Sequence, residues 1–490
     1  MGSTDDHDST EGHRRRMTST LPGPQPPADP AQRKREQRGW YFYDWANSAF
    51  YTSVITVFGA LYMSAVAADA ARDDVARNGP GACTGPDGGE NRLVDCDISV
   101  FGLAFPAGSL WGYLLAVATI VQVLVLPIAG AIADRSQRKK AILAGFAFLG
   151  AAASALLFFV DDGRWELGAV LYIVANIGYG ASIVTYYAFL PGIATPDERD
   201  DVSAKGWAFG YLGGGVALAL QLAFYLGHET VGVSESMAVR ICYLSSGLWW
   251  ALFTLIPLRR LREHQSPHGG EKGLRVLTAG FVELKDTVKA AKALPLTLGF
   301  LGAYLIYTDG INTVVSVSAQ YGTEELGFSD QVLIATVLVI QFVAYIGGMV
   351  HGLAARRFGA KKVILVSLAV WVLVLVYAYF VEERQAMQFY VLAVGIGLVL
   401  GGTNALSRSL YSQLIPAGKE AQFYSLYEVG ERGTSWLGPL VFAAVGQATG
   451  SFRYAIIALV VFFVVGFVLV ALVPVRRAIA AAGNEEPAVL

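Results

Sequence analysis

Charge is what this sequence has least of. Only 16% of its 490 residues are Asp, Glu, Lys or Arg, while 54% are hydrophobic and the mean hydropathy is +0.47. A soluble domain carries about 25% charged residues, so a chain this long has too little polar surface to face water, and lipid must cover the rest. The formal net charge of -2 offers no basic field and excludes a nucleic-acid partner. The three cysteines show no CxxC spacing, and neither a metal nor another cofactor is expected. No GxxxxGK[ST] pattern is present, which speaks against an ATP-driven pump. The stretch before Trp40 lacks an apolar core of the signal-peptide kind; it is polar, broken by prolines from Pro22 to Pro30, and reads as a disordered tail over residues 1–39.

What is there instead is a series of apolar runs, each about 20 residues long. They lie near 42–67, 109–133, 141–160, 167–190, 205–227 and 237–257, then near 294–316, 330–351, 361–381, 387–412, 421–447 and 453–474. Runs without alternation are helices rather than barrel strands. The expected fold is an all-α integral membrane protein of about twelve transmembrane helices in two six-helix pseudo-repeats. Residues 40–257 form the first bundle, with an outer loop at 68–108, and residues 294–474 form the second. Between them lies a linker at 258–293, and a tail follows at 475–490. In the linker, residues 276–294 have helical periodicity with Lys285, Lys289 and Lys292 on a polar side; they read either as an amphipathic helix on the inner leaflet or as a plain connecting helix.

Basic residues orient the spans. Arg135, Arg138, Lys139 and Lys140, then Arg259, Arg260 and Arg262, then Arg356, Arg357, Lys361 and Lys362, and finally Arg476 and Arg477 collect on one side. By the positive-inside rule that side is cytoplasmic and carries both termini. Cys83 and Cys96 then share the outer loop, where an oxidising exterior permits a disulfide; the alternative is two free thiols.

The halves carry related loops. Gly130, Asp134, Arg135, Arg138, Lys139 and Lys140 follow the second span, and Gly352, Arg356, Arg357, Gly359, Lys361 and Lys362 follow the eighth. The first of these resembles the loop signature of the major facilitator superfamily. Tyr43-Asp44-Trp45-Ala46-Asn47-Ser48-Ala49, Ala188-Phe189-Leu190-Pro191, Gly210-Tyr211-Leu212-Gly213-Gly214, Thr308-Asp309-Gly310-Ile311-Asn312-Thr313 and Ser435-Trp436-Leu437-Gly438-Pro439-Leu440 narrow the match. They are similar to the UMF1 branch, the bacterial relatives of the fungal autophagy-related vacuolar amino-acid effluxer. The resemblance covers residues 40–474. It implies a secondary transporter of a bacterial plasma membrane that moves a small solute, amino acids among the candidates, by alternating access. It also implies that Asp134 faces the start of the eleventh helix near Gln422 and gates the inner side.

Charge within a span costs at least about 2.5 to 3.5 kcal/mol at its centre and needs a partner or a purpose. Arg432 lies roughly 16 Å in from the cytoplasmic end of its span and is the better solute ligand; alternatively Glu428, four residues earlier, simply neutralises it. Glu428, Asn176, Asp309 and Asn312 complete the expected substrate site, for a zwitterionic or anionic solute. Asp309, without a basic neighbour in sequence, is either the proton-coupling group for an H+-driven cycle or a carboxylate satisfied by a helix amide. Asp44 reads as a cap or gate, and Arg135, Arg138 and Arg408 join Asp134 as gating candidates; Arg408 sits near the inner end of the tenth span, within snorkelling reach of the interface. Glycines at 206, 210 and 214, and at 397 and 401, read as tight helix packing or as a sliding gate surface. A membrane enzyme would need a nucleophile or a His and carboxylate cluster, and the one span-associated histidine is His351. A signalling receptor is the remaining alternative.

Overall fold

The computed structural model describes residues 26–27, 29–84, 91–92, 95–100, 102–136, 138–263 and 289–490. Most of the expected linker helix, including Lys285, lies outside them.

Helix α1 (Pro30–Ala49) starts earlier than the sequence suggested, inside the stretch read as a tail. Asp29 accepts the Ala31 N–H at 2.9 Å, and Pro30 already has the backbone angle of a first helical residue. The polar residues that mimic a tail dock instead: Gln37 donates to the Ile193 carbonyl at 3.0 Å, and Arg33 pairs with Glu198 at 2.9 Å. The chain continues through a π-helical stretch, Phe50–Phe58, into α2 (Gly59–Asp73). Short α3 (Val75–Asn78) leads to a hairpin of β1 (Asp97–Val100) and β2 (Leu103–Pro106), paired antiparallel with Ile98 opposite Phe105. Cys83 and Cys96 are joined in a disulfide beneath it.

The first half then runs through α4 (Leu110–Arg135), α5 (Lys139–Leu156), α6 (Trp165–Tyr187), short α7 (Leu190–Ile193), α8 (Arg199–Leu226) and α9 (Glu235–Arg260). The second half comprises α10 (Pro295–Gln320), α11 (Asp330–Phe358), α12 (Ala360–Tyr379) and α13 (Ala386–Gln413). It continues as α14 (Glu420–Thr434), α15 (Leu437–Thr449), α16 (Phe452–Ala458), α17 (Val460–Leu472) and α18 (Val475–Ala482). The last of these is no free tail: Val475, Ala478 and Ile479 are buried, and Asn484 donates to the carbonyls of Gln413 and Ile415.

Among the described residues, nine helices are long and apolar enough to cross a membrane, or ten if the bent pair Pro30–Phe58 and Tyr62–Asp73 is one span. The expected seventh and eleventh spans, α10 and the broken pair α14–α15, are helical but not among them. In α10 Asp309 and its polar neighbours dilute the apolar signal, and the break after Thr434 leaves α14 and α15, of 15 and 13 residues, each too short to cross alone. Elsewhere the outward surface is apolar over a wide belt, with Leu124, Leu252, Leu373, Met387 and Val461 all exposed. Water would not tolerate so large a patch, and lipid removes the penalty.

The two halves meet along two seams, α8 against α11 and α13, and α4 against α14. Small residues let the backbones approach. A Cβ on Gly130 would come within 2.6 Å of the Ala421 carbonyl oxygen, and one on Gly206 within 2.6 Å of Trp40 and 3.0 Å of Arg408. Trp250 is fully buried and stacks on Phe50.

Candidate functional site

Three charged clusters lie between the halves. Two are at the end of the bundle that carries the termini, and one is at mid-level.

At the terminal end, α4 delivers Asp134 to the first turn of α14. Its carboxylate accepts the N–H groups of Ala421 at 3.0 Å and Gln422 at 2.8 Å, where unpaired amides and the helix dipole favour an anion. Lys139 closes the knot, 3.3 Å from Asp134 and 3.5 Å from Glu420, and all three side chains are buried. Of the basic residues expected beside Asp134, Arg138 is exposed and Arg135 half-buried. Lys139 therefore holds the central position, and only packing reveals that, because four basic residues crowd the loop.

The second cluster surrounds Arg408 of α13. Expected near the interface, its side chain is instead fully buried and points into the opposite half. Nε donates to Ser203 Oγ at 2.9 Å, Nη2 to the Ser203 carbonyl at 2.9 Å, and Nη1 reaches Asp44 at 3.3 Å. Trp40, Tyr186, Tyr187 and Trp207 surround the guanidinium, with ring centroids 4.7 to 5.7 Å from its carbon. A guanidinium is weakly hydrated and stacks on aromatic faces, so it suits this dry cage better than an ammonium. Asp44 also accepts from Tyr186 Oη at 2.8 Å. Further bonds cross the halves at this end: Arg199 to the Ser412 carbonyl at 3.0 Å, Gln413 to the Pro196 carbonyl at 2.9 Å, and Ser203 to the Ala405 carbonyl at 2.6 Å.

The third cluster occupies mid-level. Arg432 pairs with Glu428 one turn earlier and donates across the seam to Gln122 of α4, which in turn donates to Asn176 of α6. The structure brings Arg432, Glu428 and Asn176 together, joined by Gln122, which the sequence pattern does not mark. Glu431, the residue before Arg432, was also missed. It accepts from Tyr304 Oη at 2.5 Å and from Asn312 at 3.3 Å. The signal was present: three charged residues fall within five positions of one span. From the first half, Tyr51 is 50% exposed and stacks on Tyr179, with ring centroids 6.1 Å apart.

Asp309 stands apart from this group. It is 2% exposed, and its Oδ2 accepts the Gly438 N–H at 2.8 Å, in the first turn of α15. Oδ1 is buried without a hydrogen-bond partner. Among the described residues no group of three His, Cys, Asp or Glu could hold a metal. His264 and His268, four apart in the linker, lie outside the described residues.

Residues 32–483 match the family of vacuole effluxer Atg22-like proteins. The chain is 31% identical over 448 residues to the uncharacterized MFS-type transporter YxiO of Bacillus subtilis, covering 90% of this chain and 95% of that one. Identity with autophagy-related protein 22-2 of Emericella nidulans is 26%, over 91% of both chains. In fold it resembles the human organic anion transporter MFSD10, with a TM-score of 0.62 at 14% identity, over 91% of this chain and all of that one. FucP in the outward conformation gives a TM-score of 0.61 at 12% identity, over 89% and 98% of the two chains. The two helical halves, their charged seams and these likenesses agree: the chain is a multi-pass membrane protein of the Atg22-like family, and with it a secondary transporter of the major facilitator superfamily.

Proposed function

We propose that this protein carries a small zwitterionic or anionic solute across a bacterial plasma membrane by alternating access, with amino acids the first class to test and H+ as the coupling ion. The observation that carries the reading is the mid-level joint of Gln122, Glu428 and Arg432. It is the charged contact between the halves at the level where a solute can be exposed to either side in turn. Arg432 offers a planar guanidinium that suits a carboxylate. Asp134 and the Asp44–Arg408 pair act as two gates at the terminal end, which lies in the cytoplasm on the basic-residue rule. Closure at that end and an outward-facing state are supported by the crossing bonds of Asp134, Arg199, Arg408 and Gln413. Asp309 is the coupling candidate, since its unpartnered Oδ1 leaves room for a proton.

Purified protein in liposomes, loaded with amino acids and given a proton gradient of either sign, tests the reading. Gradient-driven accumulation that requires Arg432 supports it. Absence of flux for every solute tried would leave a receptor, not a carrier.

A further inference from the structure

The segment after α18 crosses from one half of the protein to the other. Gly483 closes α18 in the left-handed region, at φ +77°, which glycine adopts without strain, and turns the chain back over the bundle. Asn484 then donates both amide hydrogens to the second half, to the carbonyls of Gln413 at 2.8 Å and Ile415 at 2.7 Å, in the turn between α13 and α14. Four residues later the Ala488 N–H donates to Asp197 Oδ1 at 2.6 Å, in the turn that leads into α8 of the first half. Leu490 packs partly buried against the core, and a Cβ on Gly359, between α11 and α12, would come within 2.2 Å of its carbonyl carbon.

The receiving turn is held to its own half. Arg33 and Gln37 of α1 reach Glu198 at 2.9 and 3.2 Å, and Glu198 accepts the Thr195 N–H at 3.2 Å. Pro487 restricts its own backbone and that of Glu486, so the connection between the anchors loses little freedom on docking. Beneath it, Arg199 donates to the Ser412 carbonyl and Gln413 to the Pro196 carbonyl, bonds beside the same two anchors that have to break if this end opens.

We propose that residues 484–490 form a strap across the terminal end, which holds the halves closed there and releases Asp197 before that end opens. The proposal rests on the alternating-access reading, in which opening draws Asp197 away from Gln413 and Ile415. Four peptide steps reach about 14 Å at full extension, so a wider opening breaks an anchor. Asp197 is exposed, and water competes for its bond; the strap therefore tunes the closed state, while the buried clusters of Asp134 and Arg408 seal it.

A Ser412→Cys reporter, buried in the closed form, reads opening through its rate of labelling by a maleimide in the purified full-length protein. In that background Asn484→Ala and Asp197→Ala should each raise the rate by about two- to tenfold, the worth of a hydrogen bond, with melting temperature near that of the parent. Because both cut one strap, the double variant should label no faster than the faster single one. An unchanged rate in either folded variant, or effects that multiply, would overturn the proposal. Asp197→Cys together with Ala488→Cys, once oxidised to a disulfide, should stop liposome flux until a reductant is added, and wild-type flux through the cross-linked protein would overturn it as well. If the wild type carries no solute, the carrier reading fails, and the labelling rates still decide the strap.

Discussion

Two arginine–carboxylate clusters bridge the halves, and their surroundings differ. At the terminal end, Arg408 is fully buried, with three hydrogen bonds to Ser203 and Asp44 and four aromatic rings around it, all from the opposite half. At mid-level, the Arg432 side chain keeps 18% of its exposure, and two carboxylates, Glu428 and Glu431, share its cluster. A charge sealed on every side can hold two bodies together but has nothing left to offer a solute. The reverse holds for a charge with an open face. Sequence ranks these arginines by depth, whereas burial and partners tell them apart.

The sharpest way to break this contrast is Arg408→Gln. It leaves Asp44 buried beside uncharged groups, a loss of about 3 to 5 kcal/mol for a broken buried pair. The protein should melt earlier, and cysteines placed at the terminal end should become accessible to reagents. Arg408→Lys should rescue little, because an ammonium is strongly hydrated and cannot fill the four-ring cage as well. If either variant retained wild-type closure and transport, the cluster would not be a gate.

Next in size is the mid-level pair. Glu428→Gln together with Arg432→Gln removes both charges of the pair and should restore much of the folding lost in either single variant. In liposomes the double variant should be folded but inactive, and robust uptake would assign Arg432 to structure alone. Arg432→Lys should weaken binding of a carboxylate-bearing solute more than it lowers melting temperature, since the bidentate fork is lost but the charge remains.

Asp134→Asn has a smaller expected effect. The amide still accepts one hydrogen bond from the start of α14 but loses the charge that the helix dipole and Lys139 favour, worth about 0.3 to 2 kcal/mol. The balance should shift toward opening at the terminal end by about two- to thirtyfold, with slower transport and little loss of folding. Unchanged accessibility would sink the idea. Asp309→Asn should be milder still in stability, because the amide oxygen can keep the Gly438 bond. Its signature is different: flux should lose its pH dependence while counterflow exchange persists, and retained pH dependence would move proton coupling elsewhere.

The least disturbing test for transport concerns the hairpin end. In intact cells, alkylating reagents should label neither Cys83 nor Cys96 until a reductant is added, and reduction should leave transport near wild type. Labelling without reductant would contradict the disulfide. Labelling of reduced protein only after cells are opened would reverse the orientation.

The membrane class, the bundle organisation and most helix boundaries were legible in the sequence, because lipid imposes a length and an apolarity that each span must meet alone. The contact of Asp134 with the start of α14 was expected only from the resemblance of its loop to that of a known family. Three matters were not legible. The start of α1 at Pro30 depends on a dock formed by Ile193 and Glu198, more than 150 residues away. The cage around Arg408 draws on α1, α6 and α8, so no local pattern announces it. The surroundings of Glu428, Glu431 and Arg432 are set by Gln122, which comes from the opposite half, and by Tyr304 and Asn312 of α10, over 100 residues away in the same half. Sequence by itself determined which segments enter the membrane, since hydrophobic burial is a property of each segment. Tertiary structure decided which charges are spent holding the halves together and which are left for a solute, since pairing is a property of neighbours brought from far along the chain.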